Sequence, residues 1–89
     1  MLAIIIILIN ITLSNEIFVP ADFSTIQEAI NYASNEDTIK VSPGVYYENI
    51  IIDGKNILLV SDNENEETIL DGNQNGPTIT CNNINNQYL

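Results

Sequence analysis

Asp37-Thr38-Ile39-Lys40-Val41-Ser42-Pro43-Gly44-Val45-Tyr46-Tyr47-Glu48-Asn49-Ile50-Ile51-Ile52-Asp53 carries two β-type runs joined through a Ser-Pro-Gly corner. Ile39 and Val41 alternate around Lys40, as a half-buried strand requires. Val45 to Ile52 is rich in the β-branched and aromatic side chains that suit a pleated surface. Pro43 has no N–H to offer a ladder and Gly44 permits a turn, so the first run ends there. Further short runs follow at Asn56 to Val60, Thr68 to Leu70 and Thr78 to Cys81, separated by Asp-Gly, Asp-Asn and Asn-Gly turns.

These runs carry a faint repeat. Ile51-Ile52-Asp53-Gly54 recurs 18 residues on as Ile69-Leu70-Asp71-Gly72, and Val41-Ser42 recurs 19 residues on as Val60-Ser61. Such a spacing leaves no room for the crossover helix of a βαβ unit and suits one coil of a β-solenoid. An antiparallel meander is the alternative, since Asp-Gly and Asn-Gly also close hairpins. Repetition at a near-constant period favours the solenoid.

Upstream, Ile17-Phe18-Val19 reads as a short strand stopped by Pro20. A helix follows, with Ser24 as N-cap and Gln27 as the reciprocal member of a capping box. Ile26, Ala29, Ile30 and Ala33 fall at i, i+3, i+4 and i+7 and form one apolar stripe, which leaves Gln27, Glu28 and Asn31 to face water. A helix with one narrow apolar face has to lie on the strands that follow it.

Phe23-Ser24-Thr25-Ile26-Gln27-Glu28-Ala29-Ile30, Asp37-Thr38-Ile39-Lys40-Val41, Pro43-Gly44-Val45-Tyr46-Tyr47-Glu48-Asn49-Ile50 and Asn56-Ile57-Leu58-Leu59 together resemble the opening of right-handed parallel β-helix proteins of the pectin lyase-like superfamily. The resemblance covers Ile17 to Asn82. It implies a mainly β fold, the start of a right-handed parallel β-helix capped by one short N-terminal amphipathic helix. Ile39, Val41, Ile50, Ile52, Ile57 and Leu59 would then stack in its interior. Gly44-Val45-Tyr46-Tyr47-Glu48 also matches the Gly-x-Tyr-x-Glu signature of pectinesterases. Without that resemblance, Gly44 makes a corner, Tyr46 packs and Glu48 is solvated. The aspartates, arginine and glutamines of the pectinesterase site have no counterpart here, for the chain has no Arg and none of the later segments. No catalytic, cofactor-binding or metal-binding residue is assigned.

Leu2 to Leu13 is almost unbroken apolar sequence, and Ser14-Asn15-Glu16 then turns polar. That length fits the apolar region of a secretory leader and falls short of the roughly 18 to 20 residues a membrane span needs. Thr12 and Ser14 are small enough to flank a cleavage site before Asn15. The expected organisation is therefore a signal peptide over residues 1–14 and, over residues 15–89, the cap and first coils of an incomplete β-helix. The implied address is extracellular, with no membrane association after leader removal.

Charge narrows the partners. Twelve acids stand against Lys40 and Lys55 alone, with no His, for a formal net charge of −10. Phosphate binding draws on Lys and Arg, so nucleic acid is not an expected partner. Cys81 has no second cysteine to pair with and reads as a small buried hydrophobe. Asp53 and Asp71 would occupy equivalent corners of successive coils, where two carboxylates could share Ca²⁺, although an Asp-Gly turn explains each as well. Asp62 to Glu67 reads as a solvated acidic loop. Three functions follow: a non-catalytic capping scaffold of a secreted protein that binds polysaccharide or a cell-surface ligand, the opening of a pectinesterase-like or lyase-like enzyme, or a complete small secreted protein or degenerate remnant.

Overall fold

Alternating side chains and four-residue runs give seven short strands and one helix in the computed structural model, which describes residues 14–83. In chain order they are β1 Glu16–Val19, α1 Ile26–Tyr32, β2 Thr38–Val41, β3 Gly44–Tyr47, β4 Ile50–Asp53, β5 Leu58–Ser61, β6 Thr68–Asp71 and β7 Ile79–Asn82. They form three small sheets, ordered β1-β2-β5, β3-β6 and β4-β7. Every pairing is parallel, which rules out the meander.

The expected capped β-helix is not what the chain forms. Its strands lie in separate parallel sheets of only two or three strands, beside a single helix of seven residues. Nor is there a fixed period. Partners are offset by 22 residues from β1 to β2, 20 from β2 to β5, 24 from β3 to β6 and 29 from β4 to β7. The similar quartets at Ile51 and Ile69 are not register mates either, since β4 pairs with β7 and β6 with β3. Connecting loops of unequal length set these offsets, and short strings of Ile and Leu recur by chance in a chain so rich in them.

Apolar residues at alternate strand positions converge on one core. Ile17 meets Ile39 and Val19 meets Val41 across the β1–β2 ladder, and all four are buried. Ile50 and Ile52 close it from β4, while Ile26, Ala29, Ile30 and Ala33 cover it from α1. The predicted stripe is therefore the buried face of the helix, which packs on β1, β2 and β4. Phe23, Tyr46, Ile57, Leu59 and Leu70 pack around this core and are only partly buried.

Local boundaries differ from expectation in three places. Thr25, not Ser24, is the N-cap. Its Oγ1 accepts the Glu28 N–H at 3.1 Å and donates to Glu28 Oε1 at 2.9 Å, so the cap sits one residue later and the expected box is not formed, the N3 carboxylate taking the Thr25 hydroxyl in place of a backbone N–H. Val45 to Ile52 is not one strand, because the chain leaves β3 at Glu48 and Asn49 and joins a different sheet as β4. Gly44 opens β3 at φ +148°, a backbone region that side-chain-bearing residues rarely adopt. Gly72 is needed for close approach, since a Cβ there would sit 2.7 Å from Thr78 Oγ1 and 3.2 Å from Thr78 Cα. The leader falls on residues 1–14, which lie outside the described residues except for Ser14. Among the described residues no helix is long and apolar enough to cross a membrane.

Candidate functional site

The two edges of the sheets are treated very differently. An unpaired strand edge is a row of backbone donors and acceptors that invites another strand, and proteins commonly block it. On the side covered by α1 two of the three outer strands, β1 and β4, are blocked by side chains, while among the described residues β3 carries no such bond at Val45 or Tyr47. Asp22 Oδ2 accepts the Phe18 N–H at 2.8 Å, and the Asp22 N–H donates to Phe18 O at 2.7 Å, which occupies the outer edge of β1. Gln27 does the same for β4: its Oε1 accepts the Ile51 N–H at 2.8 Å and its Nε2 donates to Ile51 O at 3.0 Å. Gln27, expected to face water, instead acts as a one-residue substitute for a neighbouring strand.

Two charged side chains clamp the helix that carries Gln27. Glu48 accepts the Ile26 N–H at 2.9 Å through Oε2 and the Gln27 N–H at 3.0 Å through Oε1. These are first-turn donors with no partner inside the helix. At the other end, Lys55 Nζ donates to Ile30 O at 2.9 Å and Asn31 O at 2.8 Å. Negative charge at the N-terminus and positive at the C-terminus both suit the helix dipole. Glu48 is thus half-buried and bonded to the helix, and the tyrosine of the same signature packs on the core with its Oη donating to Ser42 O at 2.8 Å. The Gly-x-Tyr-x-Glu match serves architecture.

Asp37 is the third organising group. Only 2% of its surface is exposed, and its oxygens accept the N–H groups of Asn15 and Ser34, each at 2.9 Å. These two bonds, aided by the positive charge of Lys55, hold its carboxyl below the usual carboxylate range against the opposing effect of burial. Because the folded pKa is depressed, the stabilisation is complete above the unfolded value of about 3.9 and is lost as pH falls through the folded value. The stability gap between wild type and Asp37→Asn should therefore narrow below about pH 4. Urea unfolding at a series of pH values checks this, and a gap independent of pH would refute it.

The opposite side is bare. Leu58 donates to Asp37 O at 3.0 Å and Asp62 to Val41 O at 2.8 Å, so alternation turns the N–H groups of Leu59 and Ser61 away from β2. Gly44 and Glu48 donate to Glu67 O and Asp71 O, both at 3.1 Å, which leaves Thr68 and Leu70 facing away from β3. Ile50 and Gly54 donate to Thr78 O and Asn82 O at 2.9 and 3.0 Å, which leaves Ile79 and Cys81 facing away from β4. Among the described residues no strand lies beyond β5, β6 or β7. Burial falls off in step: Ile50 is fully buried, whereas its partner Ile79 is 48% exposed. Leu59, Leu70 and Ile79 line a hollow of about 180 Å³. That is below the roughly 300 to 1,000 Å³ of small-molecule pockets, and fits a side chain.

The remaining sequence candidates do not assemble. Asp53 pairs in register with Asn82 and Asp71 with Tyr47, so the two carboxylates occupy different sheets and not equivalent corners. Asp71 Oδ1 accepts the Asn73 N–H at 2.8 Å, and Asp53 Oδ1 accepts Asn83 Nδ2 at 2.7 Å. Cys81 is exposed, because it sits on the terminal strand opposite Ile52. Asp62 to Glu67 forms the exposed β5–β6 loop, turned by Asn63 Oδ1 accepting the Asn65 N–H at 2.8 Å. Asp22, Gln27, Asp37, Glu48 and Lys55 escaped sequence reasoning as structural clamps. The nearest thing to a signal is scarcity: Lys55 is one of only two cations in the chain. No protein-family model matches the chain, and neither a curated protein nor a solved structure is significantly similar to it. The pectin lyase-like resemblance rests on the residues quoted for it alone.

Proposed function

We propose that the chain is a secreted, non-catalytic scaffold module that closes two of its outer strands, β1 and β4, with side chains and receives an extended polypeptide segment on the opposite side. The observation that carries this reading is the contrast between edges. β1 and β4 are blocked by Asp22 and Gln27, whereas among the described residues β5, β6 and β7 leave alternate N–H groups unbonded beside the part-exposed Leu59, Leu70 and Ile79. Strand addition would draw affinity from the backbone and specificity from the side-chain hollow. The residues of the one enzyme signature, Tyr46 and Glu48, are taken up by bonds to Ser42 and to the first turn of α1. Secretion is supported by the apolar run from Leu2 to Leu13 and its polar end.

Amide exchange tests the docking edge directly. Leu59, Ser61, Leu70 and Ile79 should exchange fast while Leu58 and Val60 are protected. A synthetic peptide copying residues 56–62, added in excess, should slow Leu59 and Ser61 selectively. Protection of Leu59 and Ser61 before any addition would show that the edge is already occupied. No change at millimolar peptide would remove strand addition as the function.

A further inference from the structure

The nitrogen of Asn15 is the atom on which Asp37 Oδ1 closes, at 2.9 Å, while the Asn15 carbonyl accepts the Thr38 N–H at 2.9 Å. Asn15 is thereby held from both sides just ahead of β1. It is also the residue that would follow a leader ending at Ser14. Hydrolysis of the Ser14–Asn15 peptide bond adds one water, leaves a carboxylate on Ser14 and turns this same nitrogen into a primary amine. At neutral pH the amine binds a proton. We propose that Asp37 is a built-in receptor for the α-ammonium group of Asn15, so that leader removal exchanges an amide–carboxylate hydrogen bond for a part-buried ion pair that fastens β1 to β2.

The inference rests on the secretory reading above and is independent of the open edge. Ser14 and Asn15 are both exposed, so the chain can end there without displacing any packed group. An ammonium presents three N–H donors where the amide presents one, and a charged donor strengthens the bond. The other charged groups nearby mostly favour it. Glu16 is the next residue, paired with Lys40 at 3.0 Å, and Glu16 and Asp22 line the same groove as Asn15 and Tyr32. Glu36 precedes Asp37 in the chain. Lys55 opposes the ammonium and is held by the helix carbonyls of Ile30 and Asn31. A neighbouring carboxylate raises an amine's pKa, so the contribution is complete below the unfolded α-amino value of about 7.7 to 8.0. It is lost as pH rises through the raised folded value.

The test uses the full 89-residue chain, expressed in secreting cells and recovered from the medium. Intact mass and terminal sequencing should show a product starting at Asn15. Its α-amine, followed by NMR, should titrate above the ordinary range, and Asp37→Asn should return it there. Nα-acetylated product supplies a readout that does not depend on the variant folding. The wild-type melting temperature should fall on alkaline titration, whereas that of the acetylated product should not. A product still starting at Met1 overturns the leader reading and this inference together. A product starting at any other residue, or one starting at Asn15 with an ordinary α-amine, overturns the inference alone.

Discussion

Ile30→Asp is expected to unfold the domain at room temperature or bring it to the edge of unfolding. Ile30 is 2% exposed and lies among Ile26, Ala29 and Ala33 on the face that α1 presses onto the strands. Removing its buried hydrocarbon alone costs about 2 to 5 kcal/mol. A carboxylate at that position adds the cost of an unpaired buried charge, or of holding it protonated. Small domains have total stabilities of roughly 5 kcal/mol or little more, so the loss is of the same size as the whole. Asn75→Asp, at an exposed loop position whose side chain makes no hydrogen bond among the described residues, is the control, and should stay within about 0.5 kcal/mol of wild type. Far-UV circular dichroism through a urea series reads both. A variant at Ile30 with wild-type stability would remove α1 from the core.

The second large effect is expected at Glu48. Truncation to Ala leaves the Ile26 and Gln27 N–H groups without their carboxylate, which costs about 1 to 3 kcal/mol by the usual value of hydrogen bonds to charged groups. The consequence reaches further than the helix terminus. Gln27 is the residue that closes the β4 edge, so loosening the first turn of α1 should raise the exchange rate of the Ile51 amide as well. A seven-residue helix has little stability of its own and depends on such clamps. Glu48→Gln retains one acceptor oxygen and should recover only part of the loss. If Glu48→Ala melts with wild type and Ile51 stays protected, Glu48 is not the clamp the geometry makes it.

The strands and the helix were legible because their signals are local. Alternation around Lys40 placed β2, and the spacing of Ile26, Ala29, Ile30 and Ala33 gave the buried face of α1. The β-helix expected from the repeat is not what forms, because similarity between Ile51-Ile52-Asp53-Gly54 and Ile69-Leu70-Asp71-Gly72 says nothing about which strands pair. Pairing joined Asp53 to Asn82 and Asp71 to Tyr47 instead. Cys81 read as buried from its apolar neighbours in the chain, yet its exposure depends on whether anything lies beyond β7. The clamps were hidden for a related reason. Glu48 finds its donors 21 and 22 residues away, and Asp37 finds Asn15 at a separation of 22. An isolated Glu or Asp carries no mark of such a partner.

By itself the amino-acid order determined what each short segment could be: strand, turn or amphipathic helix, acidic surface or apolar run. Those properties follow from side-chain shape and from alternation over a few neighbouring residues. Only the tertiary structure decided which edges are closed by Asp22 and Gln27 and which remain open on β5, β6 and β7. Hydrogen-bond partners far apart in sequence are chosen by how loops of unequal length bring backbones together, and no local pattern encodes that choice.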